Sequence, residues 1–106
     1  MLTKQHRFSF RNGIPSKSTH CPLFVLRYEP ADTFSCAVVV SKKVNSHAVE
    51  RNRIKRMYKK VIGGILEYNQ LPYSMVFYLR KRNNEVELED VRRITEQIFK
   101  KEGIIS

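Results

Sequence analysis

Residues 41–60 combine the most basic part of the chain with the apolar spacing of a packed helix. The segment reads SKKVNSHAVERNRIKRMYKK and holds eight Lys or Arg residues and one acid. On a helical wheel that starts at Arg51 and steps about 100° per residue, its apolar side chains fall in one arc, opposite most of the cations. The apolar arc is Ile54, Met57, Tyr58, Val61 and Ile65, the opposite arc is Asn52, Lys55, Arg56 and Lys59, and Arg51, Arg53 and Lys60 lie at the margins. The pattern predicts a helix that packs through one side and presents cations on the other.

The net charge of the 106-residue chain is +10. Such an excess indicates a polyanionic partner, either nucleic acid or an anionic membrane surface. The charge is unevenly spread, because residues 85–106 hold six acids and four bases and residues 1–84 carry the whole excess. We therefore expect one domain, residues 1–106, whose binding surface precedes a supporting C-terminal segment.

The sequence favours a cytoplasmic protein with no membrane partner. No apolar run approaches the roughly 20 residues that a membrane-spanning helix needs, and the first ten residues, MLTKQHRFSF, lack the apolar centre of a signal peptide. Cys21 and Cys36 are too few and too far apart to indicate a zinc site or a disulfide framework. They are expected to be reduced, partly buried thiols.

The order of elements predicts an α+β fold, a two-layer sandwich with a small mixed sheet of three to four strands. Residues 1–22 are expected to be an irregular, shortened N-terminal segment. Strands are expected at residues 23–28 and 34–40, joined as a hairpin, and at residues 74–80. The basic helix lies between the last two strands, which implies a crossover within one sheet. If those strands are parallel, the default crossover is right-handed.

Local signals place the ends of the two helices. Asn45 and Ser46 are N-cap candidates for the basic helix, which should end near Ile62 or continue through two glycines to Glu67. A C-terminal helix is expected over about residues 85–101. Asn84 with Glu87 resembles a capping box for it, and Gly103 suits its end.

The sequence lacks the residues of a self-contained nuclease. The acids before the last helix are Glu29, Asp32, Glu50 and Glu67. They are scattered, so no spacing predicts a carboxylate pair for metal-ion chemistry. His6, His20 and His47 stand in no recognisable triad, and each is expected to be an exposed loop residue or a cap.

Phe8 and Phe10 alternate with a serine and are flanked by Arg7 and Arg11. Two rings on one face of an extended piece, beside cations, can form a stacking site for unpaired bases. The same rings could instead close over the edge of the core. The sequence leaves both interpretations open.

Two runs of the chain carry a family resemblance. Val40-Ser41-Lys42-Lys43-Val44 and Ala48-Val49-Glu50-Arg51-Asn52-Arg53-Ile54-Lys55-Arg56 closely resemble the signature of the bacterial ribonuclease P protein subunit. From residue 23 onward, the predicted elements also follow that family's order. The resemblance implies a small basic protein that joins a catalytic RNA to remove the 5′ leader of precursor tRNA. It implies no obligate protein partner and no catalytic residue in this chain, with the required Mg²⁺ held mainly by the RNA.

The resemblance also implies roles for particular residues. The family's Arg-Asn-Arg helix faces the catalytic RNA, and a cleft between helix and sheet holds the leader. By position, the RNA-binding residues are Arg51, Asn52, Arg53, Lys55, Arg56, Lys59 and Lys60, and the leader-cleft candidates are Phe8, Phe10, Arg11, Lys42 and Lys43. The family crossover is left-handed, contrary to the general default.

The chain departs from the family pattern at its N-terminus. The family has a short first helix with two aromatic residues about four apart, whereas Phe8 and Phe10 are two apart and only Phe10-Arg11-Asn12-Gly13 resembles its end. We therefore expect this helix to be reduced or absent. Lys59 also stands where the family often has arginine, which keeps the charge but loses a bidentate contact. The alternatives are a structural RNA-binding protein, such as a ribosomal protein, and a self-contained basic nuclease.

Overall fold

The computed structural model describes residues 7–106, which form a four-stranded mixed sheet and two helices. The strands are β1 (Lys17–His20), β2 (Phe24–Pro30), β3 (Ser35–Val39) and β4 (Tyr73–Leu79), and the helices are α1 (Ala48–Tyr68) and α2 (Leu88–Lys101). Short 3₁₀ turns occupy Phe10–Asn12 and Lys81–Glu85. The predicted α+β sandwich, with a basic central helix and a C-terminal helix, is confirmed. Within residues 7–106, no helix is long and apolar enough to span a membrane.

The strand order is β1-β2-β4-β3. β4 pairs antiparallel with β2 and parallel with β3, so the hairpin predicted for β2 and β3 is wrong. β4 lies between them and is covered on both faces, since Met75, Val76 and Phe77 are all fully buried. The parallel pairing of β3 with β4 confirms the crossover through α1, while its hand stays a prediction.

The edge strand β1 corrects the prediction that residues 1–22 are irregular. Its sequence, KSTH, shows no apolar alternation, and Thr19 is its only buried side chain. Thr19 lies opposite Leu26 in an antiparallel register with β2. The strand therefore forms through backbone pairing with β2, which its own composition does not signal. The part of the prediction that concerns residues 1–6 lies outside the described residues.

Both helices pack on the same face of the sheet. Tyr58 of α1 meets Phe24 of β2 edge to face, with ring centroids 5.9 Å apart. Phe99 of α2 lies 6.2 Å from Phe77 of β4, and Phe77 is also 5.1 Å from Phe24. These aromatic contacts place the core in a single layer between the helices and the sheet.

Helix α1 runs without interruption through Gly63 and Gly64, the longer of its two predicted extents. Four of its five predicted apolar positions are buried, and the fifth, Met57, is half-buried against the core. The N-cap is His47, not Asn45 or Ser46, and its side chain makes no capping bond. Asn45 instead uses its side-chain oxygen to accept the His47 N–H at 2.9 Å, which shapes the turn just before the helix.

Helix α2 begins three residues later than predicted, because residues 81–85 form a 3₁₀ turn. Its capping box consists of Glu87 and Asp90, which corrects the prediction of Asn84 and Glu87. The predicted stop at Gly103 is confirmed. Gly103 has a φ of 74°, and the Ile104 N–H donates to the Phe99 carbonyl at 2.8 Å, as in a Schellman motif.

The N-terminal segment crosses the face of the sheet that carries no helix. Arg7 forms a parallel bridge with Cys36 at the outer edge of β3, and the chain enters β1 at the opposite edge. On the way, the Pro15 carbonyl accepts a 2.9 Å hydrogen bond from Nε of Arg27. Arg27 points away from the core, since its neighbours in β2 alternate toward the helices. No α-helix precedes α1 in the described chain, and Phe10–Asn12 is the only helical turn there.

Candidate nucleic-acid interface

The side of α1 opposite its buried stripe forms a continuous polar surface. We call it the basic face. It consists of Asn52, Lys55, Arg56, Lys59 and Lys60, all exposed except Lys55, which is half-buried. The helix underneath is held by fully buried Ile54, Tyr58 and Ile62. The cations therefore extend from a fixed backbone, which limits the order that must be gained when they bind phosphates.

The cations of the predicted set differ in their local partners. Arg53 pairs with Glu50 at 2.9 Å, one turn earlier on the helix. Arg51 is half-buried and donates from Nη1 to the Asn45 carbonyl at 3.0 Å. The four cations of the basic face form no ion pair or hydrogen bond with any residue in the described range 7–106. Arg51 therefore holds the helix start to the preceding loop, and the basic face supplies the uncompensated charge.

Two asparagines that follow β4, Asn83 and Asn84, bind helix α1 and the loop that precedes it. Asn83 is fully buried. Its side-chain oxygen accepts the Tyr58 hydroxyl proton at 2.5 Å, and its amide donates to the Leu23 and Arg80 carbonyls at 2.6 and 2.8 Å. Tyr58 is itself buried, and this burial raises the pKa of its phenol far above the usual range. The helix is thus fixed to the end of β4 by a satisfied polar network inside the core.

Asn84 makes a second, more exposed link to the loop that precedes α1. Its amide donates to the Val44 carbonyl at 2.7 Å and to the Lys81 carbonyl at 2.9 Å. Its side-chain oxygen accepts the Asn45 amide at 2.9 Å. The sequence predicted only a capping role for Asn84 and no role for Asn83, because the partners of the key bonds are 25 to 60 positions away.

Lys42 and Lys43 are exposed in the turn that follows β3. The turn closes with a 3.0 Å hydrogen bond from the Val44 N–H to the Ser41 carbonyl. Because Asn84 binds the Val44 carbonyl, this turn also lies next to the 3₁₀ turn that carries Lys81 and Arg82. The lysine pair therefore belongs to the end of the sheet at which β3 and β4 finish.

Phe8 and Phe10 contact each other edge to face, with ring centroids 5.0 Å apart and an interplanar angle of 85°. Phe8 is half-buried and its N–H donates to the Cys36 carbonyl at 3.0 Å. Phe10 is 49% exposed, so at least one ring is available to solvent. Arg11 is exposed in the adjoining 3₁₀ turn, where its N–H donates to the Ser9 hydroxyl at 3.4 Å.

The aromatic pair lies beside β3, a strand that helix α1 also contacts. Burial raises the pKa of the Cys36 thiol to about 11, and the nearby positive charge of Lys59 acts in the opposite direction. Lys59 thus acts on the Cys36 side chain from the helix side of β3, while the Cys36 carbonyl binds Phe8. Lys42 and Lys43 lie farther along, since the four steps from Cys36 to Val40 span roughly 13 Å of extended strand. The leader-cleft candidates thus occupy two levels of the β3 edge, one beside Cys36 and one beyond Val40.

The described chain contains no group of three or more His, Cys, Asp or Glu side chains arranged to hold a metal ion. Of the two cysteines, Cys21 is half-buried and Cys36 is buried. His20 lies 3.4 Å from Arg80, and His47 is the exposed N-cap of α1. The third histidine, His6, lies outside the described residues.

Comparison with known proteins decides the family. The sequence model of the ribonuclease P protein family matches residues 2–103. The chain belongs to the ribonuclease P protein family. A ribonuclease P protein component from Mycoplasma mobile is 31% identical over 96 residues, which cover 86% of this chain and 84% of the relative.

Solved ribonuclease P proteins share the fold. A Staphylococcus aureus ribonuclease P protein, a mutant with defective mRNA degradation activity, superimposes with a TM-score of 0.74 at 21% identity, covering 84% of this chain and 76% of that one. The ribonuclease P protein from Thermotoga maritima gives 0.70 at 22% identity, covering 80% and 82%. The strand order that overturned the predicted hairpin belongs to this shared fold.

Membership of the ribonuclease P protein family establishes what kind of molecule this chain is. It is a protein subunit of a ribonucleoprotein endoribonuclease that acts in tRNA 5′ processing, and it has an RNA partner. The basic face is the described surface whose charge fits such a partner. The contact residues themselves remain predictions.

Proposed function

We propose that the basic face of α1 binds the catalytic RNA of ribonuclease P, and that the β3 edge beside it receives the 5′ leader of precursor tRNA. In this assembly the protein assists endonucleolytic removal of the leader. The observation that carries the proposal is the set of cations on α1 that have no partner among residues 7–106, displayed from a helix whose opposite side is buried. Family membership identifies the polyanion as RNA.

The side chains of the basic face differ in how they can bind phosphates. Arg56 can present a planar fork of donors to two phosphate oxygens, whereas Lys55, Lys59 and Lys60 act as point charges. Asn52 adds a neutral donor and acceptor among them. None of these groups moves a proton or attacks a phosphorus atom in this proposal. Their contribution is to neutralise phosphate charge and to fix the position of the RNA.

The leader would be held at the β3 edge by the exposed ring of Phe10 and by cations at both levels. A base can stack on an aromatic face without regard to its identity, while Arg11 and Lys59 neutralise the backbone nearby. Lys42 and Lys43 would extend this contact along the edge. A leader that reaches both levels would have to run roughly parallel to β3.

We propose that the required Mg²⁺ is held mainly by the RNA. No step of the reaction is assigned to a metal bound by this chain, since the described residues include no group of three or more His, Cys, Asp or Glu placed to hold one. No obligate protein partner is needed for the assembly. The same proposal places the protein in the cytoplasm, where bacterial tRNA precursors are made.

A cleavage assay on precursor tRNA tests the proposal. The arms are protein alone, a bacterial ribonuclease P RNA alone, the two together, and the RNA with the variant R56Q/K59Q, all at low magnesium. The two together should cleave at the mature 5′ end, RNA alone should be weak, and the variant should need more protein. Cleavage by protein alone would make the chain a nuclease. A mixture no better than RNA alone would leave only a structural RNA-binding role.

A further inference from the structure

A groove between the C-terminal half of α1 and the outer side of α2 combines cations, an exposed ring and bare backbone. It encloses about 400 Å³, within the range of about 300–1,000 Å³ typical of small-molecule sites. Its floor contains buried Val61 and Ile65. It lies on the side of α1 away from the β3 edge, and the sequence analysis assigned α2 to support alone.

The rim of the groove is positively charged. Lys60 lines it from α1, and Arg92 and Lys100 line it from α2. Glu96 is the only acidic side chain among the described lining residues. Arg92 also pairs with Glu89 at 3.4 Å, but 48% of its side chain is exposed and available to a ligand. Three cations against one acidic side chain in the lining favour an anionic ligand.

Tyr68 stands at the same rim and is 86% exposed, the most exposed large apolar residue described. It is the last residue of α1, and its ring lies outside the core. An exposed ring beside cations is the arrangement with which proteins bind unpaired nucleotides: the base stacks on the ring and the phosphates meet the cations. An acidic peptide would use the cations but would gain less from the ring.

Gly64 supplies an independent observation. It lies within α1, where glycine is among the least favourable residues, and it lines the groove. A Cβ placed there would meet no described atom within 4 Å. Core packing therefore does not require glycine. A bare stretch of helix backbone does allow a flat ligand to approach closely, as glycines do at other ligand sites.

We propose that this groove is a second RNA-binding site, which holds an unpaired nucleotide with its base on Tyr68 and its phosphates near Lys60, Arg92 and Lys100. Lys60 joins it to the basic face, so one strand could run from the face into the groove. The inference rests on the proposed function only in taking RNA as the partner. It does not require the RNA to be catalytic.

The test compares two double variants in the full chain. R92Q/K100Q removes two groove cations, and R93Q/K101Q removes their exposed neighbours in sequence, which do not line the groove. Binding is measured by fluorescence anisotropy with a labelled single-stranded RNA of about ten nucleotides, within the site sizes of known single-strand binders. The groove variant should bind about tenfold more weakly and lose salt dependence by roughly one unit of slope, and the neighbouring variant should lose much less.

Two further substitutions separate stacking from charge. Tyr68→Ala should weaken binding about tenfold, whereas Tyr68→Phe should preserve it because the ring remains. Gly64→Ala should raise the thermal midpoint, since alanine favours the helix, and yet weaken RNA binding. That opposite movement cannot come from misfolding.

Equal losses from the two double variants, or unchanged binding in Tyr68→Ala, would overturn the inference. Loss of binding to a poly-glutamate peptide by R92Q/K100Q, with RNA binding intact, would make the groove a peptide site and would also overturn it. In either case R56Q/K59Q should still bind RNA more weakly, so the proposed function would stand. If R56Q/K59Q also bound normally, the proposed function would fail separately.

Discussion

The basic face of α1 and the Phe8–Phe10 pair are both assigned to RNA, but the fold holds them in different ways. The face lies on a 21-residue helix fixed by buried Tyr58 and Asn83. The aromatic pair lies on a segment without α-helix or named strand, and within the described residues its backbone is tied to β3 at the Arg7–Cys36 bridge, which includes the Phe8 N–H to Cys36 carbonyl bond. The comparison teaches that the cations are positioned by the core, whereas the rings can be changed with little effect on the fold.

The largest expected effect comes from breaking the support of the face. Asn83→Ala should lower the free energy of unfolding by about 3 kcal/mol or more, because it leaves the Tyr58 hydroxyl and the Leu23 carbonyl buried without their partner. Asn84→Ala is the matched control. It removes exposed bonds and should cost about 1 kcal/mol. Urea denaturation of both variants measures the difference, and similar losses would mean that the buried network does not support α1.

A second prediction concerns the aromatic pair. Phe8→Ala with Phe10→Ala should lower the preference for precursor over mature tRNA by roughly five- to tenfold, since base stacking on an aromatic ring contributes about 1–3 kcal/mol. The unfolding free energy should fall by no more than about 2 kcal/mol, because Phe10 is 49% exposed and Phe8 is half-buried, whereas loss of a fully buried Phe ring costs about 3–5 kcal/mol. The preference is measured as the ratio of the two dissociation constants with the assembled ribonucleoprotein.

Ile14→Ala is the control for the rings, since Ile14 is 51% exposed and belongs to the same segment. It should leave the preference unchanged. If the double phenylalanine variant keeps the preference of the parent but loses stability, the rings close over the core and the other interpretation of the sequence is correct.

The smallest expected effect concerns the ion pair at the start of α1. Glu50→Gln should raise RNA affinity about two- to threefold, because it releases Arg53 from its 2.9 Å partner and removes an anion beside the face. Such exposed pairs contribute only about 0.2–1 kcal/mol to stability, so the fold should tolerate the change. Asp32→Asn, an exposed acid between β2 and β3, makes the same change in net charge. Equal gains from the two variants would show a general charge effect rather than a role for Arg53.

The sequence predicted α1 well because the helical period of 3.6 residues determines both its buried side and its exposed side. An apolar residue at every third or fourth position identifies the buried stripe, and the cations between them must then face outward. Two further features could be predicted from the sequence. Glycine favours the left-handed conformation that ends α2 at Gly103, and the strand-helix-strand order allows the parallel pairing of β3 with β4.

The remaining features depend on contacts between distant parts of the chain. β4 pairs with both β2 and β3, and nothing in the local sequence of residues 23–40 indicates that a later strand separates the two. Judged from its neighbours in sequence, Asn83 resembles a turn residue. Only the folded chain brings Tyr58 and Leu23 into contact with it. Arg51 reads like Arg53 in the motif, yet one binds a carbonyl and the other a carboxylate. Local sequence cannot separate such cases.

The most direct test of the central claim is the salt dependence of binding to a ribonuclease P RNA. The parent, R56Q/K59Q on the basic face and R93Q/K101Q on α2 are compared across a range of salt concentrations. The slope of log affinity against log salt should shrink by about 1–2 for R56Q/K59Q, since each lost phosphate contact removes about 0.7–0.9. It should stay close to the parent for R93Q/K101Q. Equal slopes for the two variants would contradict the claim that the basic face of α1 holds the RNA.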